Sequence, residues 1–550
     1  MQQYLKTFRL VVSIVMLAAV GFLFLDFSGS VPSAWYRGLT WLQFIPSLIR
    51  FLQTLGHGLA VTAYGFIAVL VLTLVFGRVY CSYICPLGIF QDVTGWFSRK
   101  VRNTKKRKFR FRFAAPKKWL RYSILIVVFL SLFTHSIFLL NLLDPFSNFG
   151  RFFSDLFRPV YILGNNLLVT IFEALGSYAL YPVTVIKTDP FALIVPVVML
   201  ALVIWLSVWK GRLYCNTVCP VGTLLGLVSK KSLYQVRFDE ASCNQCGQCM
   251  FVCKSQCIDV KKREVDFSRC VGCANCMKSC DKNAIRYSLS PARKPALKNE
   301  PTDVSKRHFI VGSALFIAAL SGLSSFKLFA QPLTRSNQKR RHIRRRKIKD
   351  NLHDVSSGKG KLEVFPSHPV TPPGSLNQNH FTTACTACHL CISACPTGVL
   401  QPSLFEYGFL GMMQPFMDFD VNFCNYECTR CAEICPNGAI LPLTVEEKLT
   451  TQIGVVRFEI ENCIVYLDET ACGSCSEHCP TQAVKMVHYK DELTIPEIIP
   501  DICIGCGACE YACPVTPYKA IVVDGHFEHT IAQKPKEEKL EEKPLEDFPF

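Results

Sequence analysis

A multi-domain chain, in which an α-helical membrane bundle carries small cysteine-rich α+β domains, is what this sequence predicts. Three observations predict it. Apolar stretches of membrane length alternate with polar segments, a twelve-residue motif occurs twice among them, and the cysteines fall into regular runs of four. At 550 residues the chain is too long for one core. Half of its residues are hydrophobic while 19% are charged, which fits apolar spans joined to polar domains better than one uniform globule.

Four stretches offer the ~20 apolar residues that a helix needs to cross a bilayer. They are residues 10–25, 51–76, 119–143 and 191–209, and Arg121 is the one charge among them. The first has signal-peptide features, since Lys6 and Arg9 precede it, but it completes an even set and is read as a retained helix. Orientation follows from the loops. Residues 99–118 hold eleven Lys/Arg and no acid, whereas the loop between the third and fourth spans holds only Arg151, Arg158 and Lys187 against four acids. The positive-inside bias therefore puts both ends of the bundle in the cytoplasm. The formal net charge of +18 is concentrated in that basic run and in residues 335–349. Beside apolar spans such runs face anionic lipid, and without a recognisable binding fold they do not indicate nucleic acid.

Within the bundle, Gly77-Arg78-Val79-Tyr80-Cys81-Ser82-Tyr83-Ile84-Cys85-Pro86-Leu87-Gly88 is echoed by Gly211-Arg212-Leu213-Tyr214-Cys215-Asn216-Thr217-Val218-Cys219-Pro220-Val221-Gly222. Each copy follows an apolar span, the second and the fourth, as in membrane folds built from duplicated helix pairs. Thiols four residues apart share one face of a helix, at a start where the dipole favours thiolate. Cys81, Cys85, Cys215 and Cys219 are thus candidates to hold a metal or cluster, or to cycle between dithiol and disulfide. His57 and His135, in spans two and three, are candidates for a quinone pocket.

Most of the 29 cysteines lie in six runs. Two in the N-terminal half, Cys243, Cys246, Cys249, Cys253 and Cys270, Cys273, Cys276, Cys280, have gaps of two, two and three residues. Two in the C-terminal half, Cys385, Cys388, Cys391, Cys395 and Cys503, Cys506, Cys509, Cys513, keep that spacing. The run of Cys424, Cys428, Cys431 and Cys435 widens the first gap to three residues, and that of Cys463, Cys472, Cys475 and Cys479 widens it to eight. Cys257 is left over and is read as a packed free cysteine. Three cysteines at two-residue gaps wrap one side of a [4Fe–4S] cubane, and the fourth ligand comes from a partner run. By that rule Cys243, Cys246, Cys249 and Cys280 hold one cluster, and Cys270, Cys273, Cys276 and Cys253 another. For the C-terminal runs, sequential and nested pairing both satisfy the rule. Structural zinc pairs two Cys-x-x-Cys knuckles across a longer gap and has no use for the third cysteine. Cys385-Thr386-Ala387-Cys388-His389 matches a haem attachment pattern, but Cys391 and Cys395 continue the run in register, so His389 is read as a loop residue near a cluster.

At these motifs the first 290 residues resemble the NapH-type membrane ferredoxin proteins, and share pieces of layout with NosR and the CcoG-type cupric reductases. Residues 305–525 resemble NapG-type four-cluster ferredoxins, including the wide gap before Cys472. The resemblance implies ferredoxin-like domains, electrons drawn from quinol, and delivery toward a periplasmic reductase; the chain has no room for the flavin domain of NosR. Ser305-Lys306-Arg307-His308-Phe309-Ile310 stands where NapG-type proteins carry a twin-arginine signal. A periplasmic C-terminal domain is expected from it, although the basic run 335–349 argues for the cytoplasm.

The expected organisation is a four-span bundle (1–235), a dicluster ferredoxin domain (236–290), a linker (291–304), and a signal, anchor or fifth span (305–330). A basic, Pro-rich linker (331–378), a four-cluster domain (379–530) and a disordered tail (531–550) follow. The expected function is that of a quinol-linked oxidoreductase component of the bacterial inner membrane. It relays electrons through six [4Fe–4S] clusters to a periplasmic or membrane redox partner, with neither flavin nor haem. The alternative is a maturation protein that reduces or delivers a metal through the Cys-x-x-x-Cys-Pro thiols.

Overall fold

The structure, a computed structural model, describes residues 2–534 apart from 27–28, 30, 55–63, 103–110, 134–135, 186–187, 240 and 290–361. The twin-arginine-like segment, the basic run 335–349 and most of the tail lie outside the described residues, as do His57 and His135. The chain forms two compact units. One comprises Met1–Arg340, Gln378–Phe416 and Arg430–Pro442, the other Arg341–Asn377, Met417–Thr429 and Leu443–Phe550.

In the first unit the N-terminal helix runs from Gln2 to Leu25, and its Tyr4–Leu25 portion is long and apolar enough to cross a membrane. Leu, Val and Ile on nearly all its faces favour this over the narrow stripe of a surface helix. Asp26 ends it by accepting from Gly29 N (3.1 Å), Val31 N (3.3 Å) and the Tyr36 hydroxyl (3.3 Å). The other three expected spans appear, among the described residues, as the shorter helices Gly65–Phe76, Lys118–Phe133 and Ile194–Lys210. Seventeen residues rise only ~25 Å, short of a ~30 Å hydrocarbon core, so one helix rather than four meets the length criterion. Two of these helices stop where the expected spans end, and for the same reason. Gly77 (φ 74°) and Gly211 (φ 67°) adopt a backbone that a side chain disfavours, and each closes its helix by donating to Thr73 O or Ser207 O.

After each glycine comes one helical turn carrying the first cysteine of the motif, Tyr80–Tyr83 or Leu213–Thr217. A second helix then begins at Pro86 or Pro220. Proline suits the first helical position because its missing N–H would be unbonded there anyway. Cys219 is the N-cap, its Sγ accepting from Gly222 N at 3.3 Å.

The helix Pro86–Arg102 carries the charge on which this unit is built. Asp92 forms ion pairs with Arg9 on the N-terminal helix (2.7 Å), with Arg212 of the second motif (2.8 Å) and with Lys254 of the cysteine-rich segment (3.1 Å). Burial alone would push the Asp92 carboxyl up, yet Arg212, Lys254 and Arg9 outweigh it and hold it well below the usual carboxylate range.

The cysteine-rich segment that follows is closed by an antiparallel pair, Tyr234–Phe238 with Ile285–Leu289, with Val236 opposite Tyr287. Its core gathers Val236, Ile258, Phe267, Met277 and Ile285 around Cys249, Cys253, Cys257 and Cys276, and Leu5 packs against it. The second unit repeats this plan. Thr451–Phe458 pairs antiparallel with Ile521–Ile531, with Val456 opposite Val523, and Val484–Lys490 pairs with Leu493–Ile498. These enclosing pairs make both cysteine-rich parts α+β.

Asp92→Asn strands three buried cations and is expected to destabilise the first unit by about 3–5 kcal/mol, read as a lowered melting temperature in detergent. The folded carboxyl titrates below the unfolded one, so its stabilisation is present above the unfolded value near ~3.9 and drains away only as pH falls through the folded value. The wild-type advantage should therefore stay constant from about pH 5 to 8; equal melting of the two proteins would refute the assignment.

Candidate metal centres

The four runs of regular spacing share one backbone device. The residues on either side of the middle cysteine have positive φ: Gln245 and Gly247, Gly272 and Ala274, Ala387 and His389, Gly505 and Gly507. The second of each pair caps a short helix that carries the third cysteine, at Gln248–Phe251, Asn275–Lys278, Leu390–Ala394 and Ala508–Ala512. Two left-handed residues around one cysteine curl the loop so that its thiols converge and its N–H groups point inward; Ala387 N lies 3.5 Å from Cys385 Sγ. Four of the eight positions are not glycine, and each such residue adds strain of about 1–3 kcal/mol that its surroundings must hold. The two runs with widened first gaps lack the device among their described residues.

Fourth cysteines lie among the charged neighbours of partner runs. The charges acting on Cys249 come from Cys246, Cys280 and Cys243, and those on Cys276 come first from Cys273, Cys270 and Cys253. That is the exchange expected from spacing. In the C-terminal half most cross-run neighbours are those of the sequential arrangement, while Cys424 acts on Cys506 across it. Cys385 and Cys388 feel Cys435, and Cys391 feels both Cys435 and Cys431. Cys509 feels Cys506, Cys503 and Cys479, while Cys475 feels Cys513, Cys472 and Cys463. Burial pushes the Cys388 thiol up to about 12, and Cys435 adds to it. Buried thiols that raise one another in this way fit a polynuclear cation, which favours their deprotonated form.

One run departs from its expected form. Cys424, Cys428 and Cys431 are expected to wrap one cluster and Cys435 to serve a partner run, and the boundary between the two units passes between Cys428 and Cys431. Cys424 and Cys428 fall in the second unit, and Cys431 and Cys435 in the first. Cys431 rides on the short helix Arg430–Ile434. Cys428 N instead closes a turn on Asn425 O at 3.3 Å, and Cys424 N donates to Cys506 O at 2.9 Å. The physical reason is the wider first gap. The extra residue leaves the backbone on either side of Cys428 without the left-handed pair that curls a regular run.

The two Cys-x-x-x-Cys-Pro motifs meet as a pseudo-symmetric pair. Arg78 of the first donates to Cys215 O of the second (3.1 Å), and Arg212 of the second donates to Cys81 O of the first. Gly88 and Gly222 make this possible. A Cβ on Gly88 would strike Cys81 O and crowd Arg212, and one on Gly222 would strike Cys215 O and crowd Arg78. Cys81, Cys85, Cys215 and Cys219 are all buried, and each of Cys85 and Cys219 feels the charges of Cys81 and Cys215. No cysteine forms a disulfide, and no three described His, Cys, Asp or Glu side chains lie close enough to grip a single ion, here or in the runs.

His389 is more than a loop residue. Its ring is fully buried, with Nδ1 2.8 and 2.9 Å from the Asp155 oxygens and Nε2 donating to Met413 O at 2.8 Å. Asp155 comes from the π-helical turn Phe152–Phe157, so the pair ties the Cys385 run to the helices. Both ring nitrogens are engaged, which leaves none for a haem iron. Cys257 is packed as expected, its Sγ 3.6 Å from Cys253 Sγ. Sequence reasoning missed Asp92 and Asp155, because a single acid has no spacing to mark it.

Known proteins carry the same features. Residues 60–104 and 191–238, each holding one Cys-x-x-x-Cys-Pro motif, match a family described as a 4Fe-4S binding domain. Residues 266–399, 384–440 and 469–516 match families described as 4Fe-4S dicluster domains. The ferredoxin-type protein NapF of Escherichia coli (strain K12) is 29% identical over 160 residues, covering 29% of this chain and 89% of NapF. NapG of that strain is 30% identical over 153 residues, 26% of this chain and 65% of NapG. The methylamine utilization ferredoxin-type protein MauM of Methylophilus methylotrophus is 32% identical over 173 residues, 28% of this chain and 72% of MauM. No solved structure matches. The expected NapG-like region is thus met by relatives, and the chain carries several 4Fe–4S domains.

Sequential exchange makes a direct prediction. Cys435→Ala and Cys388→Ala should each remove one cluster, about four irons per chain, and the double variant should lose no more than either alone. Loss of two clusters' iron in the double variant would favour nested pairing.

Proposed function

Because this chain belongs to the ferredoxin-type iron–sulfur proteins that include MauM, we propose that it is a membrane-bound electron carrier. It takes electrons from quinol and passes them singly to a redox partner. Its six runs hold six [4Fe–4S] clusters, which supply the one-electron chemistry, and the protein spaces them and sets their potentials through burial and hydrogen bonds to sulfur.

One observation carries the reading. The N-terminal helix meets cluster-binding sequence at both of its ends. Leu5 packs on the core around Cys249, Cys253 and Cys276. At the other end Phe24 packs against Phe146 and Phe149, and lies beside Gly150, which faces Cys388 O. Twenty-four residues rise ~36 Å, more than the ~30 Å hydrocarbon core, so a bilayer fits between the two sets. Together with the basic loop 99–118, this supports a cytoplasmic dicluster and a periplasmic position for the Cys385 run. In this reading the apolar helices Gly65–Phe76 and Ile194–Lys210, short of membrane length among the described residues, share the membrane with the long one.

A cavity of about 390 Å³ supports the quinol step. Leu5, Phe8, Val12, Leu72 and Phe76 line its apolar part, and it extends to Cys270 and Cys273. A cluster at those cysteines takes up part of it, and the remainder suits an apolar quinol within electron-transfer reach.

The test is reduction by a short-chain menaquinol of anaerobically purified full-length protein, followed by visible absorbance and electron paramagnetic resonance. Bleaching and cluster signals within the mixing experiment are expected, with Phe76→Glu slowing reduction at least about tenfold, the effect of 1.4 kcal/mol on a barrier. Reduction by dithionite alone would reject quinol as the donor.

A further inference from the structure

Five of the six runs continue past their last cysteine with the same turn. The third residue beyond it has positive φ: Gln256 (52°), Asn283 (50°), Gly398 (68°), Gly438 (77°) and Gln482 (55°). In four of them its N–H donates to the carbonyl of that last cysteine, at 3.1 Å for Cys253 and Cys280, 3.3 Å for Cys395 and 3.2 Å for Cys479. The turn brings the next residue back into the core. In four runs that residue is a small apolar one, Ala284, Val399, Ala439 or Ala483, and each is buried. In the first run it is Cys257, buried to the same degree.

Sulfur at this place has close company. Cys257 Sγ lies 3.6 Å from Cys253 Sγ. Hydrogen bonding to Cys253 and then to Cys270, ahead of burial, pushes the Cys257 thiol well up, so it keeps its hydrogen. Asp266 N holds the turn by donating to Cys257 O at 2.8 Å. Two residues earlier stands Ser255, only 6% exposed, whose hydroxyl has no partner. A buried hydroxyl without an acceptor is costly, so the site calls for one. Ser255 and Cys257 both line the 390 Å³ cavity, as do Cys253, Cys270, Cys273 and Cys276, which form one of the exchanged sets. At the matching places beyond Cys280 the sister run carries an exposed lysine, Lys282, and Ala284, so it offers neither hydroxyl nor thiol there.

We propose that Cys257 and Ser255 are positioning residues that donate hydrogen bonds to the sulfurs of the cluster held by Cys270, Cys273, Cys276 and Cys253. They thereby raise its reduction potential above that of the sister cluster held by Cys243, Cys246, Cys249 and Cys280. This rests on the cluster-bearing function proposed above. A ligating thiolate has no hydrogen to give, so Cys257 is the donor and Cys253 the acceptor. A cluster becomes more negative when it takes an electron, so donors aimed at its sulfurs stabilise the reduced form more than the oxidised one. The step forms and breaks no covalent bond: the cluster gains one electron, and the hydrogens stay on Ser255 and Cys257. The tuned cluster borders the apolar cavity proposed for quinol, and it is the one of the pair that fills first.

The experiment is a mediated potentiometric titration of full-length protein purified without oxygen, followed by electron paramagnetic resonance. The signal lost in Cys273→Ala identifies the tuned cluster, and the signal lost in Cys246→Ala identifies its sister. Three other runs carry alanine at the place of Cys257, so Cys257→Ala is expected to fold and to keep its iron. At fixed potential it should leave the tuned cluster about tenfold more oxidised, a fall of about 59 mV for one electron. Ser255→Ala should shift it in the same direction, Cys257→Ser should restore most of the loss, and the sister should not move. Ala284→Cys should raise the sister. An unchanged potential in Cys257→Ala overturns the proposal. Loss of about four irons per chain in that variant also overturns it, because Cys257 would then be a ligand. An equal fall in Cys257→Ser would mark a packing effect and overturn it too. The titration uses no quinol, so a failure of quinol to reduce the protein counts only against the function proposed above.

Discussion

Asp92 is the constraint on which the first unit turns. One carboxylate draws together a cation from the N-terminal helix, one from the second motif and one from the cysteine-rich segment, parts that lie far apart in sequence. In a buried site such a charge has no cheap substitute, since each partner it loses becomes an unpaired ion. The two motifs, the long helix and the dicluster segment are therefore fixed to one another before any cluster enters the account. The exchanged arginines extend the same logic: each repeat completes its hydrogen bonding only by reaching into the other. A duplication whose halves satisfy each other resists separation of those halves.

The cysteine chemistry was legible because spacing is local. Gly247, Gly272, Gly505 and Gly507 also announce the left-handed turns of the runs, since glycine tolerates that backbone. Gln245, Ala274, Ala387 and His389 do not, and there tertiary structure overrides propensity. Cluster pairing was not legible, because which distant cysteine closes a set depends on how strands meet, such as Thr451–Phe458 with Ile521–Ile531. Nor was the division between Cys428 and Cys431, since two intervening residues look alike whether or not a unit boundary passes between them. Apolar spans were legible as composition, and Gly77 and Gly211 end two of the helices where the apolar stretches themselves end.

Asp155 and His389 show the same limit from the other side. Neither belongs to a motif shared with a partner in sequence, yet together they fasten a cluster loop to a helix across 234 residues. Asp155 and Met413 occupy both ring nitrogens of His389.

Each set that draws three cysteines from one run and a fourth from the next has a mechanical side. A cluster spanning Cys385 to Cys435 is a covalent cross-link closing a loop of about fifty residues, and by analogy with a disulfide such closure removes about 4 kcal/mol of chain entropy from the unfolded state. Oxidative loss of one cluster therefore opens a long loop as well as removing a redox group. Damage to such a cluster would then cost stability as well as a redox group.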